Sequence, residues 1–91
     1  MIPELTKRCI DEYVELGVPP GDFVRAVLEN NLLGAFGTAD SYNTYFMRDI
    51  VAYVYNCIPS GCHGSREIVN QWLRMHKEFA EIRDSRKNEK I

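Results

Sequence analysis

The sequence predicts an all-α fold, a compact single domain of about four helices that assembles as a homo-oligomer. Apolar residues recur at the spacing of one helix face in four segments, and stretches rich in Gly and Pro separate these segments. Apolar residues make up 45% and charged residues 26% of the chain, which is typical of a globular protein. A chain of 91 residues buries only about 60–65% of the surface that its unfolded form exposes, so oligomerisation is a common source of added stability.

The first helix is predicted from Pro3 to about Leu16. Proline suits the first turn of a helix, and glycine, here Gly17, is the residue type that most often follows a helix end. The stripe that we expect to face the core consists of Leu5, Cys9, Tyr13 and Leu16.

The second helix is predicted to begin at Asp22, because aspartate is a favoured N-cap. The preceding residues 18–21 contain two prolines, each of which disfavours helical backbone in the residue before it. Apolar residues then continue at helical spacing as far as Leu32. Gly34 and Gly37 follow, and glycine weakens a helix because it is conformationally flexible.

The third helix is predicted from Ala39 or Ser41 to Cys57. Its apolar side chains cover more than one face, and in so small a chain a single layer of neighbours can scarcely cover them all. We therefore expect the excess aromatic surface to form a subunit interface or a ligand cleft. The side chains concerned are Tyr42, Tyr45, Phe46, Ile50, Val51, Tyr53, Val54 and Tyr55.

The fourth helix is predicted to follow an N-cap at Ser65, after a turn-rich connector at residues 58–64. Beyond Arg83 no apolar stripe continues, so we expect one helical domain over residues 1–83 and a charged, frayed tail over residues 84–91. The expected core-facing stripe consists of Ile68, Trp72, Met75 or His76, Phe79 and Ile82.

The charge balance limits the classes of partner. Eleven Lys and Arg against 13 Asp and Glu give a net charge of −2, whereas a protein that coats a nucleic-acid polymer gains affinity from clustered basic residues. No apolar run approaches the roughly 20 residues that span a bilayer, and the N-terminus lacks the features of a secretory signal. We expect a cytoplasmic protein that binds no nucleic-acid polymer and no membrane. The three cysteines, an odd number with no CxxC pair, indicate reduced thiols.

Two arginines early in predicted helices are candidates for binding a small anion. Arg66 follows Gly64 and Ser65 in the first turn of the fourth helix, where backbone N–H groups, a hydroxyl and a guanidinium suit a phosphate. Arg25 lies in the first turn of the second helix. The alternative for both is an ordinary surface charge, with Arg25 paired to Asp22 three residues earlier.

Tyr13 is the tyrosine that we single out as a ligand-binding residue. It precedes the turn that leads to Arg25, so its ring could approach that arginine and stack on a base. Packing in the core is the alternative.

The sequence shows no pattern typical of a catalytic or metal site. Cys62 and His63 are adjacent, but neighbours in a turn seldom aim at each other, and no Ser/His/Asp order or carboxylate pair stands out. We expect no catalytic residue, no metal and no cofactor. The residues that could be drawn as a zinc set match no familiar spacing: Cys57, Cys62, His63 and His76.

An ordered series of short motifs covers roughly residues 10–73. It consists of GVPPGDF at residues 17–23, RAVLENNL at residues 25–32, Ala39-Asp40, Asn43, Tyr55-Asn56, Pro59, Cys62, Gly64-Ser65 and Trp72. This series resembles a family of small phage proteins, the anti-CBASS cyclic-oligonucleotide sponges of the second type.

The resemblance implies a helical homohexamer that sequesters cyclic di- and trinucleotide messengers in the host cytoplasm, blocks CBASS signalling and does not cleave its ligands. It implies that Tyr13 stacks on the bases of cyclic dinucleotides between paired subunits, while Arg25 holds their phosphate. It also implies that Arg66, after the turn at Gly64 and Ser65, reaches the phosphates of cyclic trinucleotides where three subunits meet.

The sequence departs from the family pattern at two positions. His63 stands where a tryptophan is expected, and Arg25 where a lysine is expected, which keeps the charge but changes the geometry of a phosphate contact. One alternative function is a phage inhibitor that binds a host protein through the aromatic third helix. A third class, an enzyme that cleaves cyclic nucleotides, is disfavoured because the sequence shows no metal cluster and no paired acid and base.

Overall fold

Over residues 2–89, six α-helices and one short 3-10 turn follow one another in a compact single globule. The computed structural model describes the backbone of residues 2–89 and the side chains of residues 2–79. No strand occurs in that part of the chain, which confirms the predicted all-α class. The elements are α1 Glu4–Leu16, α2 Asp22–Leu28, α3 Leu32–Thr38, α4 Ser41–Tyr45, α5 Met47–Cys57, the 3-10 turn Ser60–Cys62 and α6 Arg66–Glu89.

Helix α1 begins at Glu4, one residue after the predicted start, and ends at Leu16 as the sequence predicts. The carbonyl of Pro3 accepts a hydrogen bond from the N–H of Lys7 at 3.0 Å. Gly17 follows the helix with a φ of 68°, a left-handed conformation that glycine adopts without steric cost, and its N–H donates to the carbonyl of Tyr13 at 3.0 Å.

The buried face of α1 differs from the predicted stripe. Thr6, Ile10 and Tyr13 are buried, whereas Leu5 and Leu16 are exposed. The Thr6 hydroxyl donates to Oδ1 of Asn43 in α4 at 2.6 Å, which satisfies a polar group that the apolar pattern could not place in the core.

The second predicted helix is divided into α2 and α3, so the prediction of one continuous helix to Leu32 is wrong. Asn30 adopts a positive φ of 61°, and the N–H of Asn31 donates back to the carbonyl of Ala26 at 2.8 Å. Asn31 then caps α3, because its Oδ1 accepts from the N–H of Gly34 at 3.0 Å. Asparagine tolerates the left-handed region better than most residues, and its short side chain favours caps.

The third predicted helix is also divided, into α4 and α5. Asp40 caps α4 by accepting from the N–H of Asn43 at 2.8 Å, so the later of the two predicted starting points is confirmed. Phe46 interrupts the helix with a ψ of 17°, although its N–H still donates to the carbonyl of Tyr42 at 3.0 Å. Helix α4 therefore ends at Tyr45, and α5 runs from Met47 to Cys57.

Helix α6 begins after the predicted cap. The Ser65 hydroxyl accepts a hydrogen bond from the N–H of Ile68 at 3.2 Å. The inner face of α6 is centred on Val69, which is fully buried. Trp72, Leu73 and His76 are partly buried beside it. Met75 and Phe79 are exposed, so the inner stripe follows His76 rather than Met75.

The end of α6 overlaps the predicted tail. The helix is described as far as Glu89, so residues 84–89 have helical backbone, and fraying of this segment stays a prediction. The side chain of Ile82 lies outside the described residues. Within residues 2–89, none of the helices combines the length and apolar character that crossing a membrane requires.

The core gathers buried residues from α1, α2, α3, α5, the 3-10 turn and α6. Among the described side chains, the largest fully buried ones are Ile10, Tyr13, Leu28, Ile50, Cys62 and Val69. Tyr13 connects three elements, because its hydroxyl donates to the carbonyl of Cys62 at 2.7 Å and its own carbonyl accepts from Nε1 of Trp72 at 3.2 Å. These bonds fix α6 against the C-terminal half of α1, which positions the arginines described next.

Candidate anion-binding surface

Arg66 lies in the first turn of α6 with its side chain exposed, as the sequence predicts. The groups predicted to assist it have other partners. The Gly64 N–H donates to the carbonyl of Leu28 at 2.8 Å, and the Ser65 hydroxyl caps the helix. These two groups are therefore engaged within the protein, whereas the side chain of Arg66 is exposed.

A shallow concavity of about 410 Å³ lies along the outer side of the first turns of α6. Its side chains stand at intervals of three or four residues, so they share one side of the helix. The concavity is lined by Arg66, Glu67, Asn70, Gln71 and Arg74. Two guanidinium groups, two amides and one carboxylate therefore meet on this surface.

Arg25 reaches this surface from α2. Its Nε donates to Oε2 of Glu29 at 2.8 Å, and its Nη2 donates to Oδ1 of Asn70. The alternative pairing with Asp22 is thus replaced by a pair with Glu29, one helical turn further along. The Arg25 side chain is 29% exposed, and these two contacts fix its direction.

The contact with Arg25 orients the amide of Asn70. An amide has one acceptor end and one donor end, and the oxygen faces Arg25, so the NH₂ group must point away from it. Asn70 lines the concavity together with Arg66 and Arg74. Its NH₂ group therefore offers hydrogen-bond donors to a ligand in the concavity. The arrangement suits an anion rather than a cation.

A second concavity of about 570 Å³ adjoins the first. Asn70 and Arg74 line both. The remaining side of the second concavity is mainly apolar and comes from the end of α1, the turn after it and the middle of α6. Its further lining residues are Leu16, Gly17, Pro19, Leu73, His76 and Lys77.

Tyr13, the predicted stacking residue, is placed in the core. Its side chain is fully buried, its hydroxyl is bonded to Cys62, and burial raises its pKa far above the ordinary value. A base cannot reach a ring that is covered in this way, so the structure puts Tyr13 where the packing alternative put it. The exposed tyrosines are Tyr42, Tyr45 and Tyr55.

Asn70, Gln71 and Arg74 have no part in the functional predictions from the sequence. The spacing of Arg66, Asn70 and Arg74 at four-residue intervals is a signal that could have drawn attention to them. The contact between Arg25 and Asn70 has no such signal, since 45 residues separate the two.

The cysteines are not arranged for chemistry. Burial raises the pKa of the Cys62 thiol to about 11, which keeps it protonated and unreactive at neutral pH. Cys9 is partly buried and Cys57 is exposed. Among the described residues, no group of three or more His, Cys, Asp or Glu side chains is placed to hold a metal ion.

The chain matches no protein-family model, no curated protein and no solved structure. The surface on α6 must therefore be judged by its own chemistry. Its arginines and amides can donate hydrogen bonds, and the adjoining hollow is mainly apolar, which together suit an anion that carries an apolar group.

Proposed function

We propose that the protein is a phage immune-evasion protein. It binds cyclic di- and trinucleotide second messengers in the host cytoplasm and sequesters them, which blocks CBASS signalling. The ordered motif series at residues 17–72 supports this proposal through its resemblance to the sponge family. The observation that carries it is the gathering of Arg66, Asn70 and Arg74 on one side of α6, where Asn70 accepts a hydrogen bond from Arg25.

Binding without cleavage is part of the proposal. Arginine side chains are permanent cations, and side-chain amides do not ionise near neutral pH. Such groups hold a phosphodiester by charge and hydrogen bonds, but they are not suited to general acid–base steps. The arginines and amides of the surface therefore favour retention of the ligand over its cleavage.

Assembly as a homohexamer is also part of the proposal, and exposed apolar side chains support it. Most of α3 is exposed, including the apolar side chains of Leu32, Leu33 and Phe36. Tyr45 and Tyr55 extend the uncovered surface to α4 and α5. A small chain with this much exposed apolar surface gains stability when copies of it associate.

The experiment incubates the protein with a cyclic dinucleotide or a cyclic trinucleotide, removes the protein by filtration and measures the nucleotide left in solution. We expect the nucleotide to disappear from the filtrate and to return intact when the protein is denatured. Recovery of linear nucleotide would identify an enzyme instead. A full concentration of free nucleotide in the filtrate, at protein in excess, would exclude the sponge function.

A second candidate function is inhibition of a host protein through the aromatic helices. The exposure of Tyr42, Tyr45 and Tyr55, at 73%, 81% and 77%, favours it, because exposed tyrosines are common anchors of protein interfaces. The two functions differ in the molecule that is bound, which is a cyclic nucleotide in the first and a host protein in the second. Inhibition of CBASS by the protein after its nucleotide-binding surface has been disabled would favour this second function.

A further inference from the structure

We propose that the outer face of α6 is a nucleotide-binding surface with two parts, an anion part and a base part. The anion part consists of Arg66, Asn70 and Arg74 and holds a phosphodiester group. The base part is the apolar hollow beside Leu16 and Leu73 and holds the nucleobase. This inference rests on the proposed function and specifies where on the chain the ligand lies.

The anion part combines donors from three side chains. Arg66 and Arg74 are two helical turns apart, and both are exposed. Asn70 stands between them and turns its NH₂ group away from Arg25. Arg25 acts here as a positioning residue, because its bonds to Glu29 and Asn70 fix the amide in the donor orientation.

One charge opposes the anion. Glu67 lines the same concavity, so its carboxylate reduces the positive potential produced by Arg66 and Arg74. Two guanidinium groups against one carboxylate still leave a positive surface, which attracts phosphate. The affinity of the site should therefore rise when Glu67 is neutralised.

The base part lies next to the anion part. Asn70 and Arg74 line both concavities, so a ligand held at these residues extends into the hollow without a gap. Leu16 is 68% exposed there and offers apolar surface to a ligand. A flat base placed against Leu16 and Leu73 would cover this apolar surface while its phosphate stays on the arginines.

The first experiment measures cyclic trinucleotide binding by calorimetry in variants of the anion part. We expect Arg74→Ala to weaken binding at least tenfold, since it removes a charge-assisted contact to phosphate. Asn70→Asp, which keeps the acceptor for Arg25 but adds a negative charge, should weaken binding at least as much. Glu67→Gln should strengthen it several-fold. Arg8→Ala, which removes an exposed arginine from α1, is the matched control and should bind like the parent.

The second experiment separates the two parts with tripolyphosphate, an anion without a base. Arg74→Ala should weaken the binding of tripolyphosphate and of the nucleotide. Leu16→Ser should weaken only the nucleotide, by several-fold, because it removes apolar contact and leaves the arginines in place. The melting temperature of each variant is compared with that of the parent, so that a loss of binding can be distinguished from a loss of the fold.

The outcomes distinguish this inference from the proposed function. If the parent binds cyclic trinucleotide and both Arg74→Ala and Leu16→Ser bind it equally well, the surface assignment is wrong and the sponge function stands. If the parent binds tripolyphosphate through Arg74 but binds no cyclic nucleotide, the sponge function fails and only the anion part is supported. If the parent binds neither probe, both are wrong.

Discussion

The hydroxyl of Tyr13 donates a hydrogen bond to the carbonyl oxygen of Cys62, 2.7 Å away, in the fully buried part of the core. The same residue accepts a bond from Trp72 through its backbone carbonyl. Tyr13 thereby joins α1 to the 3-10 turn and to α6, and the turn leads directly to the cap of the helix that carries Arg66. This bond therefore links the core to the segment that leads into the candidate surface.

We expect Tyr13→Phe to lower the free energy of unfolding by about 1–3 kcal/mol, because the buried Cys62 carbonyl loses its partner while the ring keeps its packing. Urea unfolding at pH 7 measures the difference. Tyr55→Phe, which removes a hydroxyl from an exposed ring, is the control and should unfold like the parent.

The same variant should change the response to alkali. Burial raises the pKa of Tyr13 above its ordinary value of 10.0, so the hydroxyl contributes stability that is fully present below pH 10 and is lost as the pH rises further. Tyr13→Phe lacks this loss. The difference in unfolding free energy between parent and variant should therefore shrink above pH 10. A constant difference up to pH 11 would show that Tyr13 does not titrate with unfolding.

Gly17 should tolerate no side chain. Its φ of 68° disfavours alanine, and a Cβ there would clash with the Cβ of His76. We expect Gly17→Ala to destabilise the protein by more than about 1 kcal/mol. Gly17→Asn separates the two causes, because asparagine accepts the backbone conformation but still meets His76. Both variants should melt well below the parent, and full stability of the asparagine variant would exclude the contact with His76 as a cause.

Asp11 should make the protein sensitive to acid. Burial alone would raise the pKa of this carboxyl, but hydrogen bonds from Lys7 and Tyr53 outweigh that effect and lower it below 3.8. The carboxylate therefore contributes stability above pH 3.8 that is lost as the pH falls further. We expect Asp11→Asn to cost up to about 1 kcal/mol at pH 7, since the group is partly exposed, and less at pH 3. An equal cost at both pH values would contradict the role of the charge.

Substitutions at Asn30 should separate the effect of backbone strain from the effect of side-chain contacts. Its positive φ of 61° ends α2, and an ordinary L-residue in this conformation costs roughly 1–2 kcal/mol. We expect Asn30→Ala to lower the melting temperature and Asn30→Gly to leave it nearly unchanged. If the glycine variant is as unstable as the alanine variant, the side chain of Asn30 rather than its backbone stabilises the turn.

The sequence is most informative where one residue type has one strong local reason. Gly17 and Ser65 end and begin helices as predicted, because a left-handed glycine and a serine cap satisfy the backbone groups at helix ends. The breaks at Asn30 and Phe46 were not predicted. Asparagine is only a moderate signal for a left-handed residue, and Phe46 carries no local signal at all, so tertiary packing decides both.

The candidate site is less predictable than the fold. Arg66 could be recognised from its position after Gly64 and Ser65, since helix ends are local features. The contact between Arg25 and Asn70 depends on how α2 packs against α6, which no periodicity reveals. The burial of Tyr13 has the same origin, because its place on an apolar stripe agrees equally well with a core residue and with an interface.

The exposed aromatic surface gives the last prediction, which concerns assembly. We expect the parent to be a homohexamer by light scattering at micromolar concentration, and Tyr55→Glu to dissociate it, because a charge within an apolar interface costs more than the association can offset. Asn56→Glu is the matched control, since it adds the same charge to the neighbouring exposed position of α5, where a polar side chain already stands. It should leave the hexamer intact. A monomeric parent would rule out the homohexamer of the proposed function, whereas a hexamer in both variants would place the interface away from Tyr55 and direct attention to Leu33 and Phe36 on α3.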